Sequence, residues 1–210
     1  MTKRPKKLDL YTMFASDYAA ARTPTLVEPH VAQYLAIEGR GEPGGSVFST
    51  RLGYLYNVAF TIKMAKKFAG TDYAVCKLEG LWWGRKKEGT TFLDEPRGDW
   101  RWQLLIRTPD FINASDRRTA LSQLRSRGKN PAIADVELVR LDEGPSIQLL
   151  HVGPYEAEPE SLERMHVFAR ENGLRPHRRH HEIYLSDPRR VPAARLKTIL
   201  RMPVRDGRPV

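Results

Sequence analysis

Two glutamates sit where a carboxylate is hard to place. Glu79 lies in KLEGLWW and Glu182 in HHEIYL, each amid apolar residues of a strand-like run. A buried carboxylate is costly unless it is paired or used. Burial also raises a carboxyl pKa toward the range where it can move protons. Either residue could act as a base, form an ion pair with one of the chain's many arginines, or lie on a strand's polar face. Aromatic residues gather near both. Trp82 and Trp83 end one strand-like run; Trp100 and Trp102 begin the next, two apart and so on one face. Neighbouring strand residues face opposite sides, so only one of Trp82 and Trp83 can enter a given cleft. Tyr54 and Tyr56 ride a helical stretch, Tyr155 follows HVGP, and Tyr184 shares a run with Glu182. Any one tryptophan could be core. Together the rings could wall a pocket for a flat apolar molecule, with N–H and O–H groups at its edges.

Other chemistries find little support. His177, His180 and His181 match no strong ligand spacing and no cysteine joins them, so no metal site is expected. His151 in LLHVGPY reads as a hydrogen-bonded core histidine. The chain has no Walker loop, GxGxxG, GxSxG or CxxC motif, and RSRGKNP neither follows a strand nor opens a helix. No cofactor is implied.

These side chains need elements to carry them. Residues 1–24 read as a peripheral arm with one amphipathic turn around Leu8 to Phe14. HVAQYLAIEGRG is a strand ending in glycines. After GEPGG, residues 46–69 are helical: Val47, Leu52, Leu55, Val58, Ala59, Ile62 and Ala65 recur near a 3.6 spacing, with Ser46 as the N-cap. DYAVCKLEGLWWG and WRWQLLIRTPDF are strands, the latter with Trp102, Leu104 and Ile106 on one face. Asp110 to Arg127 reads as a helix closed by Gly128. ADVELVRLDEG and PSIQLLHVGPY read as a hairpin across a turn at Asp142 to Pro145. A helix at about 158–172 ends at Gly173, HHEIYL is a strand, and AARLKTILRMPV closes the chain.

The order strand, helix, strand, strand thus occurs twice. YLAIEGRGEP aligns with LLHVGPYEAE and VCKLEGLWW with HHEIYLSDP. The expectation is an α+β fold of two pseudo-twofold repeats, about 25–109 and 133–204, joined by a helix at about 110–128 and followed by a tail at 205–210. Their antiparallel sheets and helices must bury their open faces, leaving a central cleft for a small molecule. Gly80 is where a strand bulge would fall, turning Glu79 away from that cleft.

Composition narrows the class. Hydrophobic residues make up 40% of the 210, enough for a globular core. A single cysteine, Cys76, allows no internal disulfide. No apolar run reaches the ~18 residues of a membrane span, and the N-terminus lacks a signal peptide's apolar middle. A cytoplasmic protein, monomer or homodimer, is expected. The net charge is +10. Much of it lies in the tails, at Lys3, Arg4, Lys6, Lys7, Arg201, Arg205 and Arg208, and in loops, at Arg85, Lys86, Lys87, Arg178 and Arg179. Single-strand binding wants cations interleaved with exposed aromatics. Here the aromatics sit in apolar runs, so a solvated basic surface is expected rather than direct nucleic-acid binding.

HVGPY (151–155) and HHEIYLSDPRR (180–190), with EGLWW (79–83), WRWQLLIRTPDF (100–111) and KTILRMPV (197–204), resemble the GyrI-like small-molecule-binding domain family. The resemblance runs from about residue 8 to 204, with separate motifs in the family's order. It implies two strand-helix-strand-strand repeats around a ligand cleft. It also implies one of three functions. Stand-alone members similar to this chain resemble hydrolases that open strained cyclopropane rings in DNA-alkylating natural products. Others are non-catalytic drug-sensing modules, and one namesake inhibits DNA gyrase, so a gyrase- or DNA-interacting protein is the third. Carried over by motif, the catalytic glutamate is Glu182, and the aromatic candidates are Trp83, Tyr155 and Tyr56. The implied roles are Glu182 as base, Tyr155 or Tyr56 as donor to the developing anion, and Trp83 as a stacking surface. Trp102 and Glu79 are further ligand-binding candidates from the strand reading. The basic inserts at Arg85 to Lys87 and Arg178–Arg179 depart from many relatives and bear on ligand charge.

Overall fold

In the computed structural model, which describes residues 7–85 and 92–207, the apolar runs become strands of one sheet. They are β1 (Thr25–Val27), β2 (Ala32–Arg40), β3 (Leu78–Trp83), β4 (Arg101–Thr108), β5 (Glu137–Leu141), β6 (Ser146–Val152), β7 (Leu174–Pro176), β8 (His180–Tyr184) and β9 (Lys197–Asp206). The helices are α1 (Leu10–Met13), α2 (Ser46–Phe68), α3 (Ala114–Ser126) and α4 (Glu158–Glu171). Lys3, Arg4, Lys6, Lys86, Lys87 and Arg208 lie outside the described residues. Within them, no helix is long and apolar enough to cross a membrane.

The sheet order is β1-β6-β9-β8-β3-β4-β2-β5, with β7 also on β9. All these pairings are antiparallel. The order β6-β9-β8 mirrors β2-β4-β3, so the two repeats join edge to edge where β3 meets β8. That seam sets Gly80 opposite Glu182. The expected hairpin does not form. β5 pairs with β2 at one edge, while β6 pairs with β1 and β9 across the sheet. The turn at 142–145 therefore carries the chain from one half to the other. Local alternation cannot distinguish a hairpin turn from a crossover.

Helix starts moved for local reasons. α2 is capped by Gly45 in extended conformation, so Ser46 is its first residue and makes no side-chain cap. α3 starts at Ala114, four residues later than the periodicity implies. Asn113 accepts from the N–H groups of Ser115 and Asp116, and Asp116 accepts from the N–H of Asn113. Such a capping box typically contributes about 1 kcal/mol over an uncapped start.

Each sheet face is buried differently. Toward the helices point Leu35, Ile37, Trp102, Leu104 and Ile106 in one half and Ile147, Leu149, Leu200 and Met202 in the other. Each such side chain contributes roughly 1.5–3 kcal/mol on burial. The opposite face is crossed by the N-terminal segment, where Tyr18 packs on Ile183 and Ile199. From Leu8 onward this segment belongs to the fold: Leu8 bonds through its backbone to Asp72 and Ala74. Under it lies a charged network. Arg107 donates to Asp17 at 2.8 Å, and Arg201 donates to Glu143 at 2.7 Å, to Gln148 at 2.8 Å and to the Asp17 carbonyl at 2.6 Å. Arg201 is thus 2% exposed, a buried strand residue and not a solvated tail charge.

Candidate functional site

α2 packs over β2 and β4, and α4 over β6, β7 and β9. The central strands β3 and β8 therefore run between two helices. Their helix-facing residues form the floor of this groove: Gly80 and Trp82 from β3, and His180, Glu182 and Tyr184 from β8. Glu182 is buried. Its Oε2 accepts a hydrogen bond from the Tyr184 hydroxyl at 2.8 Å, and that hydroxyl accepts one from Trp82 Nε1 at 3.0 Å. Its Oε1 lies 3.5 Å from His180 Nε2.

Glycine at 80 makes this relay possible. A Cβ there would lie 2.9 Å from Trp82 Nε1 and 3.2 Å from the Tyr184 hydroxyl. The bulge expected at Gly80 is not formed, since β3 pairs without a break with both β4 and β8. Glycine serves the approach of side chains, not a kink in the strand.

Tyr155 is placed by the turn that leaves β6. Gly153 has φ +150, and the His151 ring braces the turn, with Nε2 3.1 Å from the Pro154 carbonyl and Nδ1 2.9 Å from Ser161 Oγ. A carbonyl only accepts, so Nε2 donates to it. The core role expected of His151 is what the structure gives it. Half-buried Tyr155 then meets Tyr184 edge to face, ring centroids 6.1 Å apart. Burial first, then the carboxylates Glu158 and Glu182, push the Tyr155 phenol up to about 12. The Tyr184 phenol is raised well above its usual value, by burial and then by Glu182.

Glu158 was not among the candidates, yet it belongs to this cluster. Burial, and then the charge of Glu182, raise its pKa well above the carboxylate range. EAEPESLER holds four glutamates that look alike in composition. The signal was helical spacing: Leu162, Met165 and Ala169 mark the buried face of α4, and Glu158 continues that face one turn back.

The other candidates fall elsewhere. Trp82, not Trp83, shares the groove floor with Glu182. Trp83 points to the opposite face, where the Arg179 guanidinium lies 3.6 Å from its ring centroid. Trp102 is fully buried with its N–H on the Gly41 carbonyl at 3.1 Å, behind Phe48, so it supports the wall and does not line it. Phe48 and Phe92 both lie nearly parallel to Trp82, at 6.2 and 6.5 Å. These rings fill the Trp82 end of the groove. Tyr56 is half-buried on α2, stacked on Phe60, and feels Arg189 and Asp187 of the segment after β8.

Glu79 lies on the far face, within the charged network. It accepts from the Tyr18 hydroxyl at 3.2 Å and sits 3.1 Å from His181 Nε2, while Glu143 is 3.0 Å from Nδ1 of the same ring. Burial alone would push His181 down, but Glu143 and then Glu79 raise it to about 9. Burial would raise Glu143, but His181 and Arg201 hold it down to about 2. His180 and His181 thus serve opposite faces, and His177 Nε2 lies 3.1 Å from the Val204 carbonyl. Among the described residues, no group of three or more His, Cys, Asp or Glu is placed to hold a metal ion.

Comparison with known proteins agrees with this fold. The family model for a GyrI-like small molecule binding domain matches residues 33–205. An uncharacterized conserved protein from Listeria innocua shares 35% identity over 95% of this chain and 100% of its own, with a TM-score of 0.87. A hydrolase from Listeria innocua shares 35% identity over the same proportions, with a TM-score of 0.85. The C-terminal domain of EcmrR has the same fold at 10% identity, covering 88% of this chain and 98% of its own, TM-score 0.58. No curated protein matches the chain.

Proposed function

We propose, on the premise that this chain belongs to the GyrI-like small molecule binding domain family, that its groove takes a planar, largely apolar molecule and adds water across a strained cyclopropane. The observation that carries the reading is Glu182: a buried carboxylate on the groove floor, one oxygen held by Tyr184 at 2.8 Å and the other 3.5 Å from His180 Nε2. The relative described as a hydrolase, at 35% identity over nearly the whole chain, supports a reaction rather than binding alone.

The substrate class is a cyclopropane conjugated to a dienone. Glu182 takes a proton from water as the water oxygen bonds to the ring methylene. The ring C–C bond breaks, and its electron pair moves through the dienone to the carbonyl oxygen, giving a phenolate. Negative charge thus develops on that oxygen, where hydroxyl donors are needed. Tyr155, whose phenol stays protonated well past neutral pH, and Tyr56 are suited to that task. Glu182 keeps the geometry it needs because Tyr184 and Trp82 hold it, and Phe48, Phe92 and Trp102 hold Trp82. Incubation with such a compound, followed by mass spectrometry, tests the reading. A product heavier by one water, formed over many turnovers, is expected. A ligand bound tightly but recovered unchanged would refute it.

A second reading, a binding module without chemistry, is favoured by one observation: two carboxyls, Glu158 and Glu182, lie near the Tyr155 ring, a setting suited to lipophilic cations. Titration with paired neutral and cationic analogues of one scaffold separates the two. The hydrolase reading expects less than a tenfold preference for the cation, about 1.4 kcal/mol. A larger preference, lost in Glu158→Gln, would favour the module.

A further inference from the structure

Glu158 has no part in the steps above, yet its placement is specific. It is 6% exposed; Thr198 lies beside its carboxyl, and among the described residues Oε1 is buried without a hydrogen-bond partner. The sheet register says what that carboxyl faces. Thr198 is opposite Tyr184, and Leu200 is opposite Glu182, so Thr198 and Glu182 are diagonal neighbours on the helix-facing side. Diagonal positions lie about 7–8 Å apart, within reach of two long side chains turned toward each other. α4 delivers Glu158 from above, because Leu162 and Met165 pin the next turns to the sheet. Tyr155 feels both carboxyls, which puts all three at one end of the groove.

We propose that Glu158 and Glu182 form a one-proton carboxylate pair that seats the attacking water, with the shared proton resident on Glu158. The role rests on the reading of this groove as the reactive site; the pairing itself does not. Two carboxyls in one dry site cannot both ionise cheaply. Other groups facing the pair are Tyr155, Tyr184, His180 and Thr198, with Glu156 and Asp187 further out. Among the described residues that face the pair, none is a lysine or arginine that would neutralise a second negative charge.

The chemistry balances with water as the only co-reactant. Glu158 donates a hydrogen bond to the water oxygen and keeps its proton. Glu182 accepts a proton from the water as the C–O bond forms and the cyclopropane C–C bond breaks. The released pair ends on the carbonyl oxygen, which takes a proton from solvent, and Glu182 returns its proton to solvent. The net change is substrate plus water.

The test is infrared difference spectroscopy on the full chain without ligand, following the C=O stretch of a protonated carboxyl through a pH titration. Wild type is expected to show this band at neutral pH, and Glu158→Gln to lose it. In Glu182→Gln the band persists, but its midpoint falls by about one pH unit or more, since the repelling charge is gone. No such band at neutral pH, or the same midpoint in wild type and Glu182→Gln, would overturn the pair. Should Glu158→Gln not fold, the comparison of wild type with Glu182→Gln still decides. A normal titration with no cyclopropane opening would sink the hydrolase reading and leave the pair standing. Where turnover is seen, Glu158→Gln removes the alkaline limb of the pH–rate profile and keeps the acid limb; an unchanged profile shape would mean that Glu158 is only structural.

Discussion

At the scale of single residues, the site depends on one glycine as much as on its acids. Gly80→Ala would drive a methyl into Trp82 Nε1 and the Tyr184 hydroxyl. The expected result is a fold weakened by about 1–3 kcal/mol, with turnover reduced further because Tyr184 no longer holds Glu182. Urea melts and initial rates on the same samples check this; a variant with full activity would show that the relay is dispensable. Glu182 was legible in the sequence because a carboxylate within HHEIYL had to be explained. The choice of Trp82 over Trp83 was not. Strand alternation says that the two differ but gives no absolute phase, which here comes from the pairing of Trp82 with Trp102 and His180. Glu79 drew notice for the same reason as Glu182, but its burial is answered by His181 and Tyr18 on the other face.

At the scale of elements, the segment before β1 and the crossover turn that carries Glu143 act together on the far face. Three acids, Asp17, Glu79 and Glu143, meet Arg107, Arg201 and His181. His181, when protonated, supplies the positive charge between Glu79 and Glu143. Its folded pKa of about 9 stands above the ordinary value of about 6.5. The stability it contributes is therefore complete below about pH 6.5 and is lost as pH rises through 9. The loss is on the order of 3 kcal/mol, since each pKa unit is worth about 1.4. Urea unfolding at pH 6 and pH 9.5 measures it, and His181→Gln should flatten the difference. Equal stability at both pH values would contradict this account. Asp17→Asn strands the Arg107 guanidinium, which is 3% exposed, and should cost about 3–5 kcal/mol. Nothing in the sequence joined residue 17 to residues 107 and 201, because such long-range pairings leave no local period.

At the scale of the whole molecule, the repeat was readable and the assembly was not. Element order showed two similar halves, but only strand pairing shows that they share one sheet, with the groove at its seam. The net charge of +10 looked like a surface property, yet Arg107 and Arg201 are spent inside. Their partners Asp17 and Glu143 are buried with them, so the surface stays basic; binding to DNA is nonetheless expected to be weak, because the aromatics lie within the sheet and not among exposed cations. A salt titration of duplex binding is expected to give no submicromolar affinity at physiological ionic strength, whereas a tight, steeply salt-dependent complex would reopen that function. The central claim is that Glu182 activates water against a ligand seated over the β3–β8 seam. Its most direct measurement is the rate at which dienone absorbance is lost from one cyclopropane-bearing compound, with wild type and with Glu182→Gln at matched, folded concentrations. The account predicts repeated turnover by wild type and a loss of about 10²–10⁴-fold in the variant. Equal rates in the two proteins would contradict it.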